Sequence, residues 1–136
     1  MSLEITDDVD GAAARHAAGY AFTIGAMGSA TQNFYNAAFG RRGYGDDVQA
    51  VARLWRAGKR DEAAARVPRE IGFKTNLIGP PEIIRDRLRR YRAAGVTALR
   101  VKSAGRGAAT LDAIAALIDL VAEVNREEEE EVRRRG

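Results

Sequence analysis

Residues 77–101, LIGPPEIIRDRLRRYRAAGVTALRV, decide the fold class because they predict a helix that leads straight into a buried strand. Residues 79–81 (GPP) mark the helix start, since proline is well tolerated in the first helical turn. Apolar side chains then recur at helical spacing, with arginines on the other faces. Gly95 predicts a left-handed helix end, and residues 96–101 predict a short apolar strand. This order is typical of α/β folds with parallel sheets.

The rest of the chain offers that strand few neighbours. Residues 3–6 are the one other candidate strand, and a helix is predicted from Val9 behind the cap residues Thr6, Asp7 and Asp8. Further helices are predicted from the capping box at residues 29–32 to Gly43, from Gly45 to Gly58, from Asp61 to Val67, and through Ile71 and Phe73. The expected fold is mostly α with one or two short β-strands.

The C-terminal helix is predicted to start at Thr110 and to continue through Val124. Its polar stripe is narrow (Asp112, Asp119 and Glu123), so most of its circumference should be covered by other structure. Residues 126–136 are strongly charged, and we interpret them as a solvated helix end. The predicted organisation is therefore one domain over 1–125 and a charged tail over 126–136.

Composition excludes several classes of function. The 136 residues are 46% hydrophobic and 30% charged, which is typical of a globular protein. There is no cysteine and one histidine, so thiolate chemistry and multi-histidine metal sites are excluded. The net charge of +3 is spread over interleaved acids and bases, which makes nucleic-acid binding unlikely. We expect no membrane span and a cytoplasmic location.

Short motifs along the chain resemble one enzyme family. They are ITDDV at 5–9, IGAMG at 24–28, NFY at 33–35, RGYG at 42–45, LWRAG at 54–58, AAARVP at 63–68, IGPPE at 78–82, RL at 87–88 and AGVT at 94–97. In this order they are similar to the C-terminal portion of the luciferase-like monooxygenases, which are flavin- or F420-dependent oxidoreductases. The resemblance implies a C-terminal fragment of a (β/α)8 TIM barrel. Residues 3–6 would then be the seventh strand, 97–101 the eighth, and 110–124 the final outer helix.

The same resemblance limits what this chain should do alone. In the family, the first six β/α units bind most of the cofactor and carry most catalytic side chains. We therefore expect FMN or F420 in the intact enzyme, none bound to this chain alone, and no catalytic residue within it. The chain would be an excised or truncated piece, inactive by itself. The alternative is a non-enzymatic helical module that self-associates.

Candidate ligand contacts lie in the loop at residues 102–107 (KSAGRG). Lys102, Ser103 and Arg106 follow the predicted strand and precede a helix N-terminus, where barrels place their active-site loops and where phosphate can bind. A flexible loop without a ligand would have a similar composition. The resemblance to the family does not decide whether this loop contacts a ligand or is a flexible loop without one.

Other polar or aromatic residues have a structural explanation that we favour. His16 could be a general base but is more simply a half-buried structural residue. Asp7 and Asp8 serve as cap residues, and Trp55 as a helix-packing anchor. The aromatic residues of the second helix, Phe34, Tyr35 and Phe39, are expected in the core. The glycines before that helix, Gly25 and Gly28 with Met27 between them, allow close approach of a ligand or a helix.

Exposed strand edges and apolar helix faces predict a partner. A lone parallel strand leaves backbone groups unpaired, and an apolar helix surface left in water favours association. We therefore expect a homo-oligomer formed through the exposed strand and the apolar helix faces.

Overall fold

The computed structural model describes residues 1–28, 32–103 and 107–135. It divides into two compact units along the chain. The first unit comprises Met1–Val9 with Thr75–Gly136, and the second comprises Asp10–Lys74. The first unit contains the sheet and the second is helical.

The sheet of the first unit has three short parallel strands. They are β1 (Ser2–Ile5), β2 (Leu77–Gly79) and β3 (Lys102–Ser103), in the order β2-β1-β3. Leu3 is in register with Leu77 on one side of β1 and with Ser103 on the other. The central strand therefore holds the two later strands on opposite edges.

Two predictions about the strands are wrong. Residues 96–101 are not a strand; most of them are exposed, and the strand begins at the next residue, Lys102, as β3. β2, for which we predicted no strand, is fully buried and pairs with β1. β3, which directly follows the strand predicted to lack neighbours, also pairs with β1. The order also differs from consecutive barrel strands, which would place β2 beside β3.

Two helices cover one face of this sheet. α6 (Pro81–Ala93) begins at the predicted proline, and Gly95 behind it has a φ of 81°, as predicted for a left-handed helix end. α7 (Ala108–Arg135) begins earlier than predicted, so Thr110 lies in its first turn and is not the cap. The core consists of apolar residues from both helices and two strands: Leu3, Leu77, Ile84, Leu88, Leu120 and Val124.

The charged stretch of α7 pairs with α6. The Arg85 guanidinium lies 2.6 Å from Glu123, the Arg89 guanidinium lies 2.7 Å from Glu127, and Arg92 pairs with Glu128. The boundary predicted at residue 126 lies inside α7, which continues as a helix to Arg135.

The described part of the second unit contains five α-helices with a π-helical turn between the second and third. They are α1 (Val9–Ala26), α2 (Phe34–Phe39), the π-helix (Gly40–Tyr44), α3 (Gly45–Arg56), α4 (Arg60–Arg66) and α5 (Arg69–Thr75). The bounds predicted for these helices from the sequence are close to the observed ones. The predicted capping box falls largely on residues 29–31, outside the described residues, and the Asn33 side chain caps α2 by accepting from the Asn36 N–H.

The core of the second unit is separate from that of the first. Ala21, Ile24, Val51, Ala63 and Ile71 are at most 1% exposed and belong to one cluster. They come from α1, α3, α4 and α5, so most helices of the unit contribute. α3 carries its buried residues on one face and its charges on the other, which is the pattern that predicted it.

Candidate functional site

The candidate residues of β3 point to opposite faces of the sheet. Ser103 is in register with Leu3, so it shares the core face, where it lines a cleft beside α6 and α7. Lys102 is in register with Ser2 and is exposed, and its side chain leaves the strand on the other face because successive side chains alternate. The structure therefore does not bring Lys102 and Ser103 together around one ligand. Arg106 lies outside the described residues.

The turn after β1 is closed by its own hydrogen bonds. The Thr6 N–H donates to the Gly79 carbonyl oxygen (3.1 Å), which extends the pairing of β1 and β2 by one bond. The Thr6 hydroxyl oxygen accepts from the Asp8 N–H (3.1 Å), and the Val9 N–H donates to the Asp7 carbonyl oxygen (3.0 Å). Asp7 and Asp8 take part in these bonds through their main chain, and the side-chain oxygen that accepts at the start of α1 is that of Thr6.

A cleft of about 400 Å³ opens in the first unit between residues 96–101, α6 and α7. Its walls are mostly apolar, and its charged residue Arg92 already bonds to Glu128 and to the Asn125 side-chain oxygen. Such a wall favours apolar contacts, and the charge of Arg92 is engaged within the chain. We did not predict this cleft; the signal was the narrow polar stripe of α7. The principal apolar lining residues are Leu88, Tyr91, Leu99, Val101, Ile114, Leu117 and Val121.

Gly25 of the second unit contacts a side chain of a neighbouring helix. An ideal Cβ on Gly25 would lie 2.1 Å from Cγ of Trp55, so glycine allows the ring to pack directly on α1. The Trp55 ring also meets Phe22 edge-to-face and lies under the Arg60 guanidinium. Trp55 is therefore the helix-packing anchor that the sequence predicted, and Gly25 approaches a helix rather than an open pocket.

The prediction for the aromatic residues of α2 is partly wrong. Phe39 packs against the core cluster, but the Phe34 residue is 76% exposed and Tyr35 is 40% exposed. Their helical spacing predicted that all three lie in the core, but α2 has only six residues and its first turn, which carries Phe34 and Tyr35, is exposed to solvent. His16 is half-buried on α1, where we expected a structural residue.

One polar cluster of the second unit was not predicted. The Tyr44 hydroxyl donates to a Glu70 carboxylate oxygen (2.9 Å), and the Lys74 ammonium lies 3.0 Å from the same oxygen. The hydrogen bond from Lys74, then that from Tyr44, holds the pKa of Glu70 below its usual value. The same contact with Glu70 raises the pKa of Lys74. A lysine held in its charged form is unsuited to nucleophilic chemistry, so this cluster links the π-helical turn to α5.

Neither a cluster of metal ligands nor a membrane-spanning helix is present among the residues that the structure covers. Within 1–28, 32–103 and 107–135, no group of three or more acidic or histidine side chains could hold a metal ion. Among the same residues, no helix is both long and apolar enough to cross a membrane.

Comparison with known proteins confirms the family expected from the motifs. Residues 4–98, more than half of the chain, match the family model for luciferase-like monooxygenases. The chain is also 35% identical over 114 residues to a putative coenzyme F420-dependent oxidoreductase of Mycobacterium tuberculosis. That match covers 84% of this chain but 32% of the relative, so the chain spans about a third of the relative's length. No solved structure matches the chain. On this evidence the chain belongs to the luciferase-like monooxygenase family.

Proposed function

We propose that this chain is the C-terminal portion of a luciferase-like oxidoreductase that uses F420 or, as the second choice, FMN. The similarity to a putative F420-dependent oxidoreductase carries the proposal and favours F420 over FMN. The parallel pairing of β1 with β3 supports it, because the resemblance places the eighth barrel strand at residues 97–101, directly before β3, and the seventh at residues 3–6, and the last two strands of a barrel are neighbours.

The described residues do not by themselves fit such a cofactor. A phosphorylated ring system needs a pocket with several converging polar groups. At the end of β3 the described chain offers Lys102, while Ser103 belongs to the opposite face. We therefore assign the main cofactor contacts to parts of the enzyme other than these strands, and we expect the chain alone to be inactive.

The role we assign to this portion is structural support near the reaction site. β1 and β3 would close the sheet, and α6 and α7 would cover its outer face through the core around Leu77 and Leu120. In a closed barrel, the strand that precedes β1 would pair with the edge of β1 that β2 occupies here. We therefore expect β2 to change its partner when the barrel assembles.

A chimera tests this proposal directly. In a luciferase-like enzyme with demonstrated F420 activity, this chain replaces the segment that it matches. F420 binding and turnover of the chimera are then measured. We expect binding within about tenfold of the parent enzyme, because the replaced segment supplies few cofactor contacts. The same enzyme without the segment is the control and should lose binding.

Two results would contradict the proposal. A chimera that is folded by circular dichroism but binds no F420 or FMN would show that the family match does not extend to compatible function. Micromolar binding of either cofactor by this chain alone would show that it contains the cofactor site. The two results affect different halves of the proposal and are therefore distinguishable.

A further inference from the structure

The two faces of the sheet in the first unit differ in polarity. Leu3 and its register partner Leu77 belong to the core formed with α6 and α7. Glu4 follows Leu3 in β1, and because successive strand side chains alternate, Glu4 lies on the opposite face, which we call the inner face. Lys102 also lies on the inner face, since it is in register with Ser2. The inner face therefore carries an acidic and a basic side chain on neighbouring strands.

Backbone hydrogen bonds fix the position of Lys102 relative to Glu4. The Lys102 N–H donates to the Met1 carbonyl oxygen (3.1 Å), and the Met1 amino group donates to the Arg100 carbonyl oxygen (2.9 Å). Glu4 lies two residues beyond Ser2, the register partner of Lys102. A strand spacing of about 4.8 Å and a rise of about 3.3 Å per residue place the Glu4 and Lys102 Cα atoms roughly 8 Å apart. Both side chains are long enough to act on one small ligand group.

The position of these two residues within their strands points to a reaction site. β1 ends at Ile5 and β3 ends at Ser103, so Glu4 and Lys102 are each the last inner-face residue of their strand. In a closed barrel the outer helices cover one face of the sheet, and the inner face at the carboxyl ends of the strands faces the active site. Barrel interiors are filled mainly by branched apolar side chains, and charged residues are rarely buried without a partner. Charges at this place therefore indicate binding of a polar group.

We propose that Lys102 binds the carboxylate of an acidic substrate in the intact enzyme, and that Glu4 opposes this binding through its own negative charge. The inference rests on the proposed function, because the inner face becomes the interior only in a closed barrel. A single ammonium group beside a carboxylate favours a ligand with one negative charge over one with two. Ser103 takes no part, since it lies on the opposite face. The chain thus contributes to substrate recognition as well as to support of the barrel.

The chimera described above tests this inference, built on a parent enzyme that accepts both a carboxylic acid and its neutral amide. Substrate dissociation constants are measured from the absorbance change of bound F420, and the affinity for F420 is measured separately. We expect Lys102→Met to weaken binding of the acid by roughly 10- to 100-fold, the range for one hydrogen bond to a charged group. The amide and F420 should bind within about twofold of the unsubstituted chimera. Arg90→Met is the matched control, since Arg90 is exposed on α6 and has no ion pair among the described residues, and it should change none of these affinities.

Glu4→Gln gives a result that a purely structural role would not produce. It removes a charge that repels the substrate carboxylate, so it should strengthen binding of the acid by about two- to fivefold, opposite in sign to Lys102→Met. If the two residues only pair with each other, both substitutions would leave the ratio of acid to amide affinity unchanged, and that result would overturn the inference. A Lys102→Met variant that loses affinity for F420 alone would also overturn it.

Failure of this inference is distinguishable from failure of the proposed function. A folded chimera that binds no F420 overturns the proposed function and this inference with it. Normal F420 binding with an unchanged ratio of acid to amide affinity in the Lys102→Met variant overturns this inference alone. Far-UV circular dichroism of each variant verifies that a loss of binding does not reflect a loss of folding.

Discussion

A tight contact between Gly25 and Trp55 makes the second unit sensitive to one methyl group. We expect Gly25→Ala to destabilise the unit by about 1–3 kcal/mol, because the new Cβ would lie 2.1 Å from the Trp55 ring unless the ring moves. Trp55 is the only tryptophan in the chain, so its fluorescence during urea unfolding reports on this unit.

Gly19→Ala is the matched control on the same helix. A Cβ at Gly19 would meet nothing within 4 Å, so alanine there should stabilise α1 by about 0.5–1 kcal/mol through its better helix propensity. Equal signs for the two substitutions would contradict the packing argument, because both replace a glycine within α1 and differ mainly in the space around them.

Single residues also mark the limit of what the sequence predicts. Trp55 was placed correctly because a large aromatic residue on an amphipathic face belongs against another helix. Asn76 was overlooked: it is 4% exposed, and its side-chain oxygen accepts from the Ser2 N–H (2.8 Å). This bond joins the first residue of β1 to the residue that precedes β2. The two residues are 74 positions apart in the sequence, and no local sequence pattern predicts such a bond.

Among the elements, α6 and α7 are joined at their exposed side by paired charges. The Arg89 guanidinium holds the pKa of Glu127 below its usual value, chiefly through a hydrogen bond. A carboxyl group with a lowered pKa stabilises the fold above its unfolded pKa, near 4.5, and this contribution disappears as pH falls through the folded value. We expect Arg89→Ala to lower the Tm at pH 7 and to have no such effect at pH 3.

Arg90→Ala is the control for the charge change, since Arg90 is an exposed neighbour on α6 for which the described residues show no ion pair. Because the side chains of Arg89 and Glu127 are 46% and 47% exposed, 1 M salt should reduce the effect of Arg89→Ala as well. An Arg89→Ala effect that is the same at pH 3 and pH 7 would exclude the ion pair as its cause.

The helices and β1, which was expected at residues 3–6, were predictable from the sequence, whereas the two shorter strands were not, for a physical reason. α3 and α6 contain enough turns for helical periodicity and end signals to agree. β2 and β3 have three and two residues, too few for an alternating pattern to appear. Residues 96–101 have the composition of a strand, but their bonding to the β1 side begins at the Arg100 carbonyl oxygen, which accepts from the Met1 amino group (2.9 Å), because a strand is defined by its partners and not by its own residues.

For the molecule as a whole, the chain forms two hydrophobic cores that share no residue. Leu3, Leu77 and Ile84 belong to one, and Ile24 and Val51 belong to the other. The first core uses residues far apart in the sequence, since β1 and β2 are separated by the whole second unit. The second core is made of one continuous stretch of chain. Local contacts form sooner than distant ones, so we expect the second unit to fold first.

Two buried isoleucines test whether the cores are energetically separate. Ile24→Ala and Ile84→Ala each remove the same atoms from a helical residue that is 0% exposed, so each should cost about 2–5 kcal/mol in its own unit. Ile24→Ala should shift the urea transition followed by Trp55 fluorescence, and Ile84→Ala should leave it in place. Hydrogen exchange at Leu77 and Ile78 should show the opposite sensitivity. If both variants moved both probes equally, the two units would unfold as one cooperative structure, because a loss in either core would then be felt throughout the chain.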